Sequence, residues 1–149
     1  MDLEYRNIYR KARDRTRLTQ EGWAERLDVS VDAVKKYESG KMLPSDDIVL
    51  AMAGIINDNH LAYEHLQMKS RIAEKILPDL GERTTLPKAV LNLIVSIKAV
   101  ESSALDELIQ MTADGKITMD EEYAFANCLI QLENLSKSIF NVKYAKEDP

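Results

Sequence analysis

A single cysteine, Cys128, leaves this 149-residue chain unable to close an internal disulfide. A disulfide scaffold is thereby excluded, and a reducing cytoplasm is the expected setting. Proline and glycine are scarce, at four and five residues, which leaves long stretches free to be helical. No apolar run approaches the roughly 20 residues needed to span a bilayer, and no apolar stretch follows Met1 as in a secretory leader. Neither a membrane anchor nor a signal segment is expected. His60 and His65 are five apart, on different faces of a helix, without a carboxylate or cysteine cluster at ligand spacing, so no metal is expected. The sequence shows no Ser/His/Asp or Cys/His constellation and no glycine-rich phosphate loop. The chain is therefore expected not to be an enzyme and to need no cofactor.

What is present is charge, unevenly placed. The whole chain carries a net −5, yet residues 5–41 hold ten Lys/Arg against six Asp/Glu, while residues 42–149 hold ten against seventeen. A phosphate-facing surface needs local positive charge and not a basic whole protein. The acidic remainder would limit loose binding to nucleic acid.

Apolar residues recur at helical spacing throughout, and no strand-type alternation of useful length occurs, so the chain is expected to be all-α. Residues 3–16 read as a first helix, with Tyr5, Ile8, Tyr9 and Ala12 inward. Thr19 is a good N-cap for QEGWAERL, and Ser30 for VDAVKKYES, which Gly40 should end. Ser45 should cap a fourth helix through about Ile56, and Asp58 or Asn59 a fifth over about 60–76. Pro78 and the stretch to Leu86 read as a linker, giving a domain over 1–77, a linker over 78–86 and a second region over 87–149. That second region holds two long amphipathic patterns, about 87–112 and 119–144, joined by the short turn ADGKIT. Short loops favour antiparallel neighbours, so a helical hairpin is expected. On its second helix Phe125, Cys128, Leu132, Leu135, Ile139 and Val142 form one apolar stripe.

The paired short helices over 20–38 meet the needs of a unit that presents a helix to a major groove about 12 Å wide. Ala24 is the small inward residue, Leu27, Val29 and Val34 are the apolar set, and Asp28 can enter the left-handed region at the turn. The segment LTQEGWAERLDVSVDAVKKYESGKMLPS (18–45) resembles the lambda-repressor-like, or xenobiotic-response-element type, helix-turn-helix regulators. The matching features are Leu18-Thr19-Gln20, Ala24, Leu27, Val29-Ser30, Val34, Tyr37-Glu38-Ser39-Gly40-Lys41 and Pro44-Ser45. The similarity runs over about residues 5–57 and implies a five-helix domain that binds double-stranded DNA.

That resemblance implies roles residue by residue. Val31, Asp32, Lys35 and Lys36 match base-facing positions, with chemical preferences for a thymine methyl (Val31), a cytosine amino group (Asp32) and guanine O6/N7 (Lys36). Arg10, Thr19, Gln20, Ser30 and Lys41 match positions that contact the backbone or brace those contacts. Arg13 and Glu38 match a pair that ties the first helix to the third. Departures are Asp28 where glycine is usual, Trp23 for a smaller aliphatic, Gly22 early in a helix, and the anionic Asp32. Further on, LAYEHL, ILPDL and ADGKIT with its following helix resemble small prophage-encoded regulators.

Plainer readings stand beside these. The six basic residues from Arg6 to Arg17 suit either phosphate contact or a solvated surface. Asp114, Gly115 and Glu121 resemble part of a calcium loop, but Gln110 and Thr112 stand where it needs carboxylates, and a helix-ending turn with Thr118 as the next N-cap explains the same residues. Apolar residues left over on the hairpin, such as Leu91, Val95, Leu105, Leu129 and Ile130, need either the first domain or a second copy, and a dimer is favoured. The expected function is a dimeric, prophage-type repressor on a pseudo-palindromic operator. The alternative is a protein–protein adaptor or anti-repressor on a retained helix-turn-helix scaffold, motivated by Asp32 and the acidic C-terminal half.

Overall fold

A computed structural model describes residues 8–146. Tyr5 and Arg6, read above as part of a first helix and its basic run, lie outside the described residues. Contacts divide the chain between Leu77 and Pro78. All the regular elements among the described residues are helical, apart from one isolated bridge between Thr85 and Lys146. No helix among them is long and apolar enough to cross a membrane.

The first unit contains α1 (Ile8–Asp14), α2 (Gln20–Leu27), α3 (Val31–Glu38), α4 (Asp46–Ile56), α5 (His60–Lys69) and α6 (Arg71–Ile76). Local chemistry sets most of these boundaries. The hydroxyls of Thr19, Ser30 and Ser45 accept from the backbone N–H groups of Gly22, Ala33 and Ile48, satisfying donors that a helix start leaves open. Asp28, Gly40 and Asn57, at φ 52°, 71° and 50°, take the left-handed conformation just past α2, α3 and α4. At each, the next N–H reaches back to close the helix: Val29 to Ala24 O, Lys41 to Lys36 O and Asp58 to Ala53 O, at 3.0, 3.0 and 2.9 Å. This is the Schellman arrangement, and aspartate and asparagine serve in it because a short polar side chain tolerates positive φ.

One boundary differs from the expectation. Residues 60–76 form two helices, because Ser70 leaves the helical region at φ −116°, ψ 112° and its hydroxyl caps α6 by accepting from Ala73 N–H. A serine inside a helical pattern can offer the backbone this competing bond. The described part of the first unit thus has six helices where five were expected.

Tyr9, Ala12, Trp23, Ala24, Leu27, Val34, Tyr37, Val49, Met52 and Leu61 make its core. Trp23, the substitution that demanded a rearranged core, is buried. A polar chain crosses the same interior. The Tyr9 hydroxyl lies 2.7 Å from His65 Nδ1, and His65 Nε2 lies 3.2 Å from Asp46 Oδ1, which also accepts from Lys69 at 2.7 Å. A carboxylate only accepts, so Nε2 carries the proton and Nδ1 accepts from the tyrosine. Burial pushes the His65 pKa below the ordinary value, against the pull of Asp46. A histidine that charges less readily folded than unfolded stabilises the domain above about pH 6.5 and loses that stability as the pH falls. The urea midpoint is expected to drop between pH 7.5 and 5.5, and His65→Gln to flatten that dependence. A parent midpoint that does not move would contradict the assignment.

The second unit contains α7 (Leu86–Ala99), a π-helical turn (Val100–Ala104), α8 (Leu105–Met111) and α9 (Glu122–Lys143). The stretch read as a linker is held in place: Leu80 is buried, Arg83 donates to Tyr144 O at 2.8 Å, and Lys146 N–H donates to Thr84 O at 3.0 Å. Farther along, Ser96 Oγ meets Ser138 Oγ at 2.8 Å and Cys128 Sγ meets Glu107 Oε2 at 3.6 Å. Gly115 at φ 77° closes the turn after α8, with Asp114 accepting from Lys116 N–H, and Thr118 opens the next turn by donating to Glu121.

Two expectations are corrected here. The helix expected over about 87–112 runs from Leu86 to Met111 but is not α throughout: a π turn at Val100–Ala104 lies within it. Ala89 in α7 and Ala104 at the end of the π turn are both fully buried. The apolar stripe of α9 also splits. Cys128 is fully buried, whereas Leu132 is 37% and Ile139 53% exposed. The buried contact between α7 and α9 uses small residues, Ala89, Ser96 and Ser138 among them, so the larger aliphatic residues are left at its flanks. Burial, together with the Glu107 carboxylate, pushes the Cys128 thiol above its ordinary pKa, as suits a protonated core residue.

Candidate nucleic-acid interface

On α3 the buried residues are Val34 and Tyr37, while Asp32, Lys35 and Lys36 are exposed. The 100° step between residues therefore sorts this short helix into a core side and a cationic outer side. Ser30, Lys41 and Thr19 are exposed as well. The Thr19 and Ser30 oxygens accept from backbone N–H groups at 3.1 Å each. The Ser30 hydroxyl proton remains able to donate, so this cap can also bind a phosphate oxygen at a helix N-terminus, whereas the Thr19 hydroxyl bonds the Glu21 carboxylate and helps hold its pKa below the usual value.

Three site residues stand differently from the expectation. Val31 is only partly exposed, packed against the core cluster. Asp32, expected to face a base, is exposed and paired on its own helix, its Oδ2 2.6 Å from Lys36 Nζ. That hydrogen bond, and the lysine's charge, hold the Asp32 carboxyl below its usual pKa, so the recognition helix carries its own counter-charge. Gln20 turns to the protein and not outward, its Nε2 donating to Glu38 Oε2 at 2.8 Å. Arg10 is exposed beside Asp14 at 3.7 Å, a loose pair that leaves its guanidinium accessible.

Behind this surface lies the clamp that fixes α3. Arg13 donates from Nε and Nη2 to the two Glu38 oxygens at 2.5 and 3.1 Å, and from Nη1 to Leu18 O at 2.9 Å. The two side chains are 13% and 8% exposed. Burial raises the Glu38 pKa, but the bonds from Arg13 and Gln20 outweigh it and hold the carboxyl below its ordinary value. One bidentate pair thus joins α1, the start of α2 and the end of α3, with Gln20 as a third member, a bracing contact within the protein. The i,i+4 spacing of Asp32 and Lys36 was a local signal for their pairing. No local signal marks the turn of Gln20 toward Glu38.

Residues 10–56 match the family model of a helix-turn-helix domain. The match covers about a third of the chain and spans the clamp, both capped helix starts and the exposed face of α3. No curated protein and no solved structure matches the chain. Within the matched segment, α2 and α3 are consecutive short helices, and Asp28 takes the left-handed conformation at the turn between them.

Proposed function

We propose that the protein is a sequence-specific regulator of transcription that binds double-stranded DNA as a dimer. The start of α3 enters the major groove in each half of a pseudo-palindromic operator. The observation that carries this reading is the exposed Lys35–Lys36–Lys41 surface beside two capped helix starts, inside a segment that matches a helix-turn-helix domain. Lys36 reads base edges, while Thr19, Ser30, Arg10 and Lys41 hold the phosphate backbone. The likeness of residues 18–45 to lambda-repressor-like regulators supports that subtype, and the ADGKIT region supports a prophage-type repressor. The second unit acts as an antiparallel helical hairpin that joins two copies. The protein works in the cytoplasm without cofactor or catalysis.

Selection from random-sequence DNA at moderate salt tests this. Enrichment of a two-fold symmetric site is expected. Failure of the intact, folded protein to enrich any sequence would overturn the reading in favour of an adaptor.

A further inference from the structure

The second unit has two unlike flanks. One side of its α7–α9 contact is a cleft of about 350 Å³ of mixed lining, in which Asn92, Asn134, Lys137 and Asn141 stand beside Val95 and Ala99. The helical repeat places the opposite side at Leu86, Val90, Leu93 and Ile97 on α7, and at Leu129, Leu132 and Ile139 on α9. These positions follow spacings of three and four, with Ser136 completing the α9 series, and none is charged. Six of them, Leu86, Val90, Ile97, Leu129, Leu132 and Ile139, are 37–53% exposed.

We infer that this flank is the seam of a homodimer, in which two hairpins pair face to face as a four-helix bundle. The inference rests on the dimeric reading above and assigns it a surface. The repeat of three and four on both helices is the pattern by which helices interlock at small crossing angles. The face is formed by two helices carrying the same kind of series, so it is self-complementary, as a two-fold interface requires. Its apolar side chains expose roughly 500 Å² per protomer, which, at the usual share of about 65% apolar area in homodimer interfaces, gives a total near 1,500 Å² for the pair, within the range of stable complexes. The unit's own core is small: its buried cluster is Ala104, Met111 and Cys128, with Leu108, Ile117, Ala124 and Phe125 partly buried against it. Small residues at its internal contact send the large ones outward, and a second copy buries them.

The test uses the full chain. By light scattering or sedimentation the parent is expected to be a dimer, with a melting temperature that rises with protein concentration. Leu132→Glu combined with Ile139→Glu is expected to give a monomer of unchanged helical content. Asn134→Glu, on the polar flank, is expected to leave the dimer intact. If the double variant loses helix, Ile139→Asp, at the most exposed of the six, replaces it. A monomeric parent, a seam variant that stays dimeric, or an Asn134→Glu monomer overturns the assignment. DNA selection separates the two levels. A parent that enriches a palindrome while its seam variant stays dimeric loses the seam and keeps the regulator. A seam that behaves as expected without enrichment loses the regulator alone.

Discussion

Arg13→Ala is expected to destabilise the helix-turn-helix domain by about 3 kcal/mol, the lower end of the range for breaking a buried ion pair. The guanidinium is 13% exposed and makes three protein bonds, two to Glu38 and one to Leu18 O. Its loss leaves a carboxylate that is 8% exposed with Gln20 as its remaining side-chain donor. Burial, which already pushes the Glu38 pKa up, then acts with less opposition. Replacing both members, as in Arg13→Met with Glu38→Leu, is expected to recover most of the loss, because neither charge is stranded. Urea unfolding of the two single variants and the double variant forms a thermodynamic cycle. If Arg13→Ala unfolds within about 0.5 kcal/mol of the parent, the size of an ordinary surface change, the clamp does not hold α3.

Lys36→Ala is expected to weaken binding to the selected operator by roughly 1–3 kcal/mol and to relax specificity at one base pair. Lys41→Ala is expected to weaken all sequences alike, as loss of a phosphate contact does. The informative companion is Asp32→Asn. In the free protein Asp32 occupies Lys36 across one helical turn at 2.6 Å, so the lysine must exchange an internal carboxylate for DNA. With asparagine, affinity for nonspecific DNA is expected to rise and the salt dependence to steepen by about one unit of slope. Equilibrium titrations across a salt series read both quantities. If Lys36→Ala binds the operator as the parent does, α3 is not docked by this face.

The parts of the fold that were legible in the sequence are those decided within a turn or two of chain. Thr19, Ser30 and Ser45 bond three residues ahead, and Asp28 and Gly40 close helices through bonds reaching five residues back. Ser70 uses the same local chemistry but lay inside a continuing apolar pattern, so its cap was passed over. Distance in the chain hid the rest. Tyr9 and His65 are 56 residues apart, and Gln20 and Glu38 are 18 apart, with nothing in between to announce either pairing. The α9 stripe misled for another reason. Spacings of three and four fit two adjacent faces of one helix, and only contacts distant in the chain, such as those of Cys128 with Ala104 and Met111, decide that Cys128 goes inward while Leu132 and Ile139 do not.

The π turn at Val100–Ala104 makes the hairpin tolerant of a length mismatch. It stores one residue more than an α-helix needs to cover the same axial distance, and it does so where both ends of the helix are already anchored, at Ala89 and Met111. Deleting one residue between the anchors lets the turn revert to plain α-helix without re-phasing either of them, whereas a deletion beyond them has no spare residue to draw on and shifts the helix phase by about 100°. A one-residue shortening is therefore absorbed within this stretch of the hairpin.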